Sequence, residues 1–492
     1  MTRRLTAALL VALLAIAAGC GGKAATSSSS DRLGEALGYM PANSLVVVAV
    51  DTDVNDDQYG NVDALLKKFP FGGQVKSQLE QSINKRGVSY EKDIKPLLGA
   101  PAVVGTADPA SLNDHESDSS APDKWVVAFP AKDGGKLLDF VKKDGQEAGQ
   151  IGGETAYKSG NMLLVVKGDT MVGSEDRGQL DAALKRAGDG SGMTKDRFDA
   201  AFNGLPEKAL VKSWVDVQGL LGTDPQAAAA RKVKYVGAMR VSGQTLTADA
   251  DGVSADAFVA TEGVGPADLP IAAGADGPGV VRRKGDIGFA IRDLRQSIRF
   301  AEGVAEVVDP AGFAKYRKEK ESAGKDAGVD IDKDVIDQLA GPSYVSVDLG
   351  GQGAFRADVD DPQALGATLD KLGNSGGIGK TKLKKARGGF YEGVDEHGTR
   401  FVIGMSQDHL VIAPDEQRAL EMAALQPQPV DRAQGAGVVN ADGKAIASQI
   451  IQQMGGQGAL GSSLFTGPLG ALDGWIRAEP NGLRAHVKLN VE

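Results

Sequence analysis

The chain has 492 residues, 42% of them hydrophobic and 5% aromatic, with 66 glycines and one cysteine. That length predicts two or three domains rather than one core, built mainly on Val, Leu, Ile and Ala. The formal charge of −10 argues against nucleic acid as a partner and against a polybasic attraction to anionic lipid.

The chain opens with Arg3 and Arg4, followed by an apolar run from Leu5 to Ala18 that is short for a membrane span. Ala17-Ala18-Gly19 then places small residues before Cys20. This ending resembles the lipobox of bacterial lipoproteins. The resemblance implies cleavage before Cys20, a diacylglyceryl group on its sulfur and a membrane partner through that anchor. Ala17 stands where Leu is commoner. Gly21 to Ser30 is Gly/Ser-rich and reads as a flexible tether. Loss of Arg3 and Arg4 takes the charge to −12, and no cysteine is left for a disulfide. No other stretch is long and apolar enough to be a transmembrane helix.

Next come an apolar strand at Leu45–Asp51 and an acidic turn, Asp51 to Asp57. The turn begins like a calcium loop, but Asp56 stands where glycine is needed and Val62 where glutamate is needed. It reads as a solvated turn capping a helix over 62–69.

The rest of the chain reads as an internal duplication. Gly87-Val88-Ser89-Tyr90-Glu91-Lys92-Asp93-Ile94 aligns without a gap with Gly328-Val329-Asp330-Ile331-Asp332-Lys333-Asp334-Val335, and Leu98 and Pro101 align with Leu339 and Pro342. Each segment follows a helical stretch, Val75 to Arg86 and Phe313 to Ala327, and leads into a strand, Ala102–Val104 and Tyr344–Val347. Strand and helix follow at Trp125–Phe129 and Lys136–Val141, and again at Phe355–Val359 and Ala364–Leu372. Hairpins at Met162–Gly173 and Arg400–Ile412 lead into helices at Gln179 and Gln417. Both halves end in a strand from Gly237 or Gly474, a tight turn at Asp251-Gly252 or Asn481-Gly482, and an alternating last strand. In the last strand Ala485, Val487, Leu489 and Val491 share one face.

These hairpins predict an α+β fold, internally duplicated, with antiparallel sheets and helices packed on one face in each repeat. The expected organisation is 1–19 signal peptide, 20–32 tether, 33–263 first repeat and 264–492 second repeat. Leu37-Gly38-Tyr39-Met40-Pro41-Ala42-Asn43-Ser44 followed by the strand to Asp51 resembles the opening of the bacterial DUF3352 proteins, with Met40 in place of a leucine. The resemblance implies this fold over about residues 33 to 492 and supplies no catalytic residues.

Gly373 to Thr381 ends like a phosphate loop, but Asn374 stands where the first glycine belongs and a helix precedes it. The same run holds Gly-x-Ser-x-Gly around Ser375, with His397 and His409 downstream beside Asp395 and Asp408. A helix-to-strand loop accounts for it more simply. Asp330, Asp332, Asp334 and Asp337 are explained by Asp330 or Asp332 capping a helix. His115, His397, His409 and His486 lack metal-ligand spacing, and Trp125, Trp214 and Trp475 read as core.

No catalytic, cofactor or metal residue is assigned; the one modification residue is Cys20. The expected function is a non-enzymatic, lipid-anchored protein on the extracytoplasmic face of the cell membrane, binding a protein partner or ligand. The alternative is a carrier of a lipid or other apolar molecule in a sheet/helix cavity lined by Ile450, Ile451 and Leu464. A serine hydrolase at Ser375 ranks last.

Overall fold

The computed structural model describes residues 29–70, 72–73, 77, 89–112, 123–375, 377–378, 381–395, 398–453 and 466–492. The chain is α+β and divides into two compact units. Unit 1 comprises Met1–Thr223, Arg240–Ala260 and Val491; unit 2 comprises Asp224–Met239, Thr261–Asn490 and Glu492.

Unit 1 carries β1 (Val46–Val50), β2 (Ala102–Thr106), β3 (Val126–Pro130), β4 (Gln146–Ile151), β5 (Glu154–Ser159), β6 (Met162–Lys167), β7 (Thr170–Ser174), β8 (Val211–Asp216), β9 (Met239–Asp249) and β10 (Gly252–Thr261). They pair antiparallel in the order β9–β8–β1–β2–β3–β7–β6–β5–β4. Its longer helices are α1 (Ser29–Gly38), α2 (Asp57–Lys68), α3 (Gly134–Asp144) and α4 (Arg177–Asp189).

Helices cover both faces of this sheet, not one. Leu33, Ala36 and Leu37 of α1 and Leu180, Ala183 and Leu184 of α4 pack with Val47, Val126, Ala128, Val165 and Val172. Leu137 of α3 packs with Phe129, Ala102, Ile94 and Leu97 on the other side. Adjacent strand residues such as Ala128 and Phe129 thus enter different cores. The cause is local: strands such as Val46–Val50 are apolar at every position, so both faces need cover. Helix α1 starts at Ser29, inside the stretch read as tether, because Arg32 is held by the Ala131 carbonyl at 3.1 Å.

Unit 2 carries β11 (Ile287–Ile291), β12 (Ser343–Val347), β13 (Gly353–Asp358), β14 (Gly377–Ile378), β15 (Thr381–Lys385), β16 (Phe390–Val394), β17 (Arg400–Ser406), β18 (His409–Ala413), β19 (Gly437–Asp442), β20 (Leu469–Glu479) and β21 (Gly482–Val491). They pair antiparallel as β20–β19–β11–β12–β13–β18–β17–β16–β15–β14. The longer helices are α5 (Leu294–Val308), α6 (Pro310–Ala327), α7 (Pro362–Asn374) and α8 (Glu416–Ala424). Again both faces are covered. Ala419, Met422 and Ala423 of α8 meet Ala290, Tyr344 and Val411, while Leu365, Leu369 and Leu372 of α7 meet Ala357 and Leu410.

Helix α5 was not expected from the sequence, and none of its residues is fully buried. Its neighbour α6 is joined to it by Asp309, which caps α6 by accepting from the Gly312 amide at 2.9 Å. Two other expectations need correction. Only Trp214 is fully buried; Trp125 and Trp475 are half-buried, with Trp475 stacked on His486 at 5.7 Å. Gly237 and Ala238 end a helical turn instead of starting the strand. On β21 the face shared by Ala485, Val487, Leu489 and Val491 is partly open, with Val487 39% exposed and Val491 buried. The helix expected over 75–86 falls almost wholly outside the described residues.

Candidate functional site

The residues singled out in the sequence do not converge. Ser375 ends α7, and its Oγ donates to the Leu372 carbonyl at 2.8 Å. His409 begins β18, with Nδ1 2.9 Å from Asp358 Oδ1. Burial and the nearby Arg356 cation hold the imidazole below its usual range, against the pull of Asp358. Cys20, His115, His397 and Leu464 lie outside the described residues, as do the side chains of Ile450 and Ile451. Among the described residues no group of three or more His, Cys, Asp or Glu could hold a metal ion. No helix among them is long and apolar enough to cross a membrane.

The acidic turn after β1 is tied up locally. Asp51 accepts from the Asp53 amide at 2.9 Å, Asp53 from the Asn55 amide at 3.2 Å, and Asp56 caps α2 through the Gln58 amide at 2.9 Å. Burial pushes the Asp51 carboxyl up to about 6. Asp330 caps a short turn through the Asp332 and Lys333 amides, as its spacing predicted.

The site that does form lies in unit 2 and was not anticipated. Asp415 caps α8 by accepting from the Arg418 amide at 2.8 Å. This places Arg418 in the stripe Arg418-Ala419-Met422-Ala423 that α8 turns to the sheet. Its Nη2 donates to Asp286 Oδ2 and to Ser346 Oγ, the latter at 3.1 Å. Ser346 Oγ in turn donates to Asp286 Oδ2 at 2.6 Å. Asp286 precedes β11 and Ser346 lies in β12, and their strands are held together by the Gly288–Ser346 pair. Arg418 Nη1 is buried and has no hydrogen-bond partner among the described residues. A buried donor left so costs about 1–3 kcal/mol until something accepts from it.

A cleft of about 180 Å³ opens at this cluster, lined by Arg283, Asp348, Gln352, Pro414, Asp415, Gln417, Arg418 and Glu421. Arg283 bridges its acids loosely: Nε to Asp286 at 3.3 Å, Nη1 to Glu421 at 3.5 Å, Nη2 to Asp348 at 4.0 Å. The polar character extends sideways across the sheet. Arg282 lies over Gly288, where any Cβ would meet its side chain at 2.9 Å, and its Nε donates to Asn440 Oδ1 at 2.5 Å. Asn440 and Asn490 both donate to Asp473, at 2.6 and 3.0 Å.

Unit 1 has nothing of this kind at the same register. There Val47 pairs with Gly105 and Trp214, where in unit 2 Gly288 pairs with Ser346 and Asn440. Trp214 and Met40 fill the space as buried apolar side chains. Sequence alone held one signal: an arginine at a core-facing helical position.

The family model described as "Protein of unknown function (DUF3352)" matches residues 5–172. That is about a third of the chain, all of it within unit 1. No curated protein matches. The solved structures of TP0453 in crystal forms III and IV are similar at 9% and 10% identity. They cover 49% and 48% of this chain and 83% of theirs, with TM-scores of 0.26 and 0.27, too loose a superposition to carry an argument.

Proposed function

We propose that the chain is a lipid-anchored, extracytoplasmic, non-enzymatic binding protein with an internally duplicated body, and that unit 2 holds a small polar ligand. The observation that carries the binding role is the unpartnered Nη1 of Arg418 beside an open cleft. The anchor rests on the sequence around Cys20 and the outward-facing role rests on the leader.

Matching strand orders support the duplication: β8–β1–β2–β3–β7–β6–β5–β4 and β19–β11–β12–β13–β18–β17–β16–β15. Capping details agree as well. The Ser89 amide donates to Asp93 at 2.6 Å and the Asp330 amide to Asp334 at 2.9 Å. Asp176 and Asp415 each accept from the amide three residues on, at 2.8 Å. One copy keeping an apolar interior while the other turns polar is what specialisation of a single copy predicts.

Native mass spectrometry of the full chain, extracted from its host in mild detergent, tests the binding role. A small bound mass that leaves on denaturation, and is lost from Gln352→Ala, supports it. A bare mass in both proteins overturns it.

A further inference from the structure

Resting on that binding role, we propose that the Arg418 cleft takes a small zwitterion of the α-amino-acid type. Its carboxylate goes to Arg418, with Gln352 at the exposed edge of the cleft, and its ammonium lies among Asp348, Asp415 and Glu421.

The argument is one of supply and demand for protons. The carboxylates of the cleft already have donors. Asp286 takes Ser346, Arg283 and Arg418; Asp348 takes the Gly350 and Gln352 amides, both at 2.9 Å; Asp415 takes the Arg418 amide; Glu421 takes Gln417 Nε2 at 2.9 Å. Arg418 lines the cleft and is the lining side chain whose need is an acceptor. The Arg418 side chain is 7% exposed, and its Nη1 is the buried donor without one. Guanidinium matches a carboxylate oxygen in both charge and geometry.

The mouth has the opposite need. Asp348, Asp415 and Glu421 stand there against the single, half-exposed Arg283, whose contacts to the two acids it meets at the rim are 3.5 and 4.0 Å long. A carboxylate has about four lone-pair sites, so each acid can still accept from an ammonium.

Other ligands fit worse. A phosphate or a simple carboxylate would meet three carboxylates at the rim, and like charges brought together cost several kcal/mol. A bare cation would meet Arg418 and Arg283. The volume of about 180 Å³ is below the roughly 300 Å³ at which pockets for larger small molecules begin, which excludes a lipid.

Saturation-transfer NMR on the full chain in detergent micelles tests this with glycine, L-alanine, acetate, ethylammonium and inorganic phosphate. Glycine or alanine should bind, with acetate and ethylammonium each weaker by about tenfold or more. Glu421→Gln should weaken the amino acid by about tenfold and leave acetate unchanged or tighter. Gln352→Ala, an exposed position safe for folding, should weaken both amino acid and acetate. Acetate or phosphate binding as tightly as alanine overturns the zwitterion while the binding role survives. If no probe binds but the native mass stays bound, the ligand class again falls alone. If neither probe nor native mass binds, both fall.

Discussion

Arg418 and Asp286 form an ion pair in which the two side chains are only 7% and 5% exposed, joined from positions 132 residues apart. Removing one partner strands the other charge in the interior. Arg418→Met is expected to cost about 3–5 kcal/mol in urea unfolding. The double variant Arg418→Met with Asp286→Leu should recover most of that loss. Equal destabilisation of the single and double variants would show that the pair is not what holds this region together.

Arg356 does a different task on the same helix. Its Nη1 donates to the Leu425 carbonyl at 2.6 Å and the Ala423 carbonyl at 3.3 Å, at the end of α8, while Nη2 reaches Asp358 at 3.2 Å. Its guanidinium also lies 5.4 Å from the Tyr344 ring centre. A lysine cannot serve all of these directions at once. Arg356→Lys should lower stability by about 1–3 kcal/mol, read from the thermal midpoint.

Asp51 predicts an acid-side gain in unit 1. Its carboxyl is raised from 3.8 to about 6 by burial, so folding favours the protonated form. The destabilisation is absent below pH 3.8 and complete above about 6. Between those limits the fold should lose on the order of 3 kcal/mol as pH rises. Asp51→Asn should remove the slope and be more stable than wild type at pH 7, with Trp214 fluorescence as the readout. An unchanged slope would refute the assignment.

The ion network of α5 and α6 predicts the reverse slope in unit 2. Burial would raise the Glu302 carboxyl, but bonds from Lys320, Tyr316 and Arg299 outweigh it and hold the group below the usual range. Lys320 Nζ sits 2.8 Å from Glu302 and 2.9 Å from Asp332. Stability from Glu302 is therefore present above its ordinary pKa and lost as pH falls through the lowered one. Lys320→Met should cost about 1–2 kcal/mol at neutral pH and flatten the acid loss. Trp475, the only tryptophan of unit 2, reports it.

Cys20→Ser tests the anchor. Wild type should incorporate labelled palmitate and partition into detergent, and the variant should do neither. Label retained in the variant would place the lipid elsewhere.

Most of the strand and helix order was legible because the signals are local. Asp361 before Pro362 marks the start of α7, and Gly168-Asp169 turns β6 into β7. The two-sided cover could also have been read, since Val46–Val50 offers no polar face. The Arg418 site could not. Ser346 and Asp286 are 60 residues apart and Arg418 is further still, so the cluster exists only after β11 pairs with β12 and α8 docks. The one local signal is that Arg418 shares a helical stripe with Ala419, Met422 and Ala423, and that stripe does not name its partners. Helix α5 draws its order from two places, the α6 network and the cores against which Leu294, Ile298 and Phe300 pack.

The tight fit at Gly105 sets the two units apart chemically. A Cβ there would sit 3.1 Å from Met40 Sδ, 3.1 Å from a Val47 methyl and 3.2 Å from the Val46 carbonyl, whereas β12 carries a serine at the matching register. In unit 2, losing either Arg418 or Asp286 alone is costly. In unit 1, a side chain at 105 is accommodated only if Met40, Val47 or the β1 backbone gives by a few tenths of an ångström. A chimera that carries β12 in place of β2 should therefore be less stable than the parent chain.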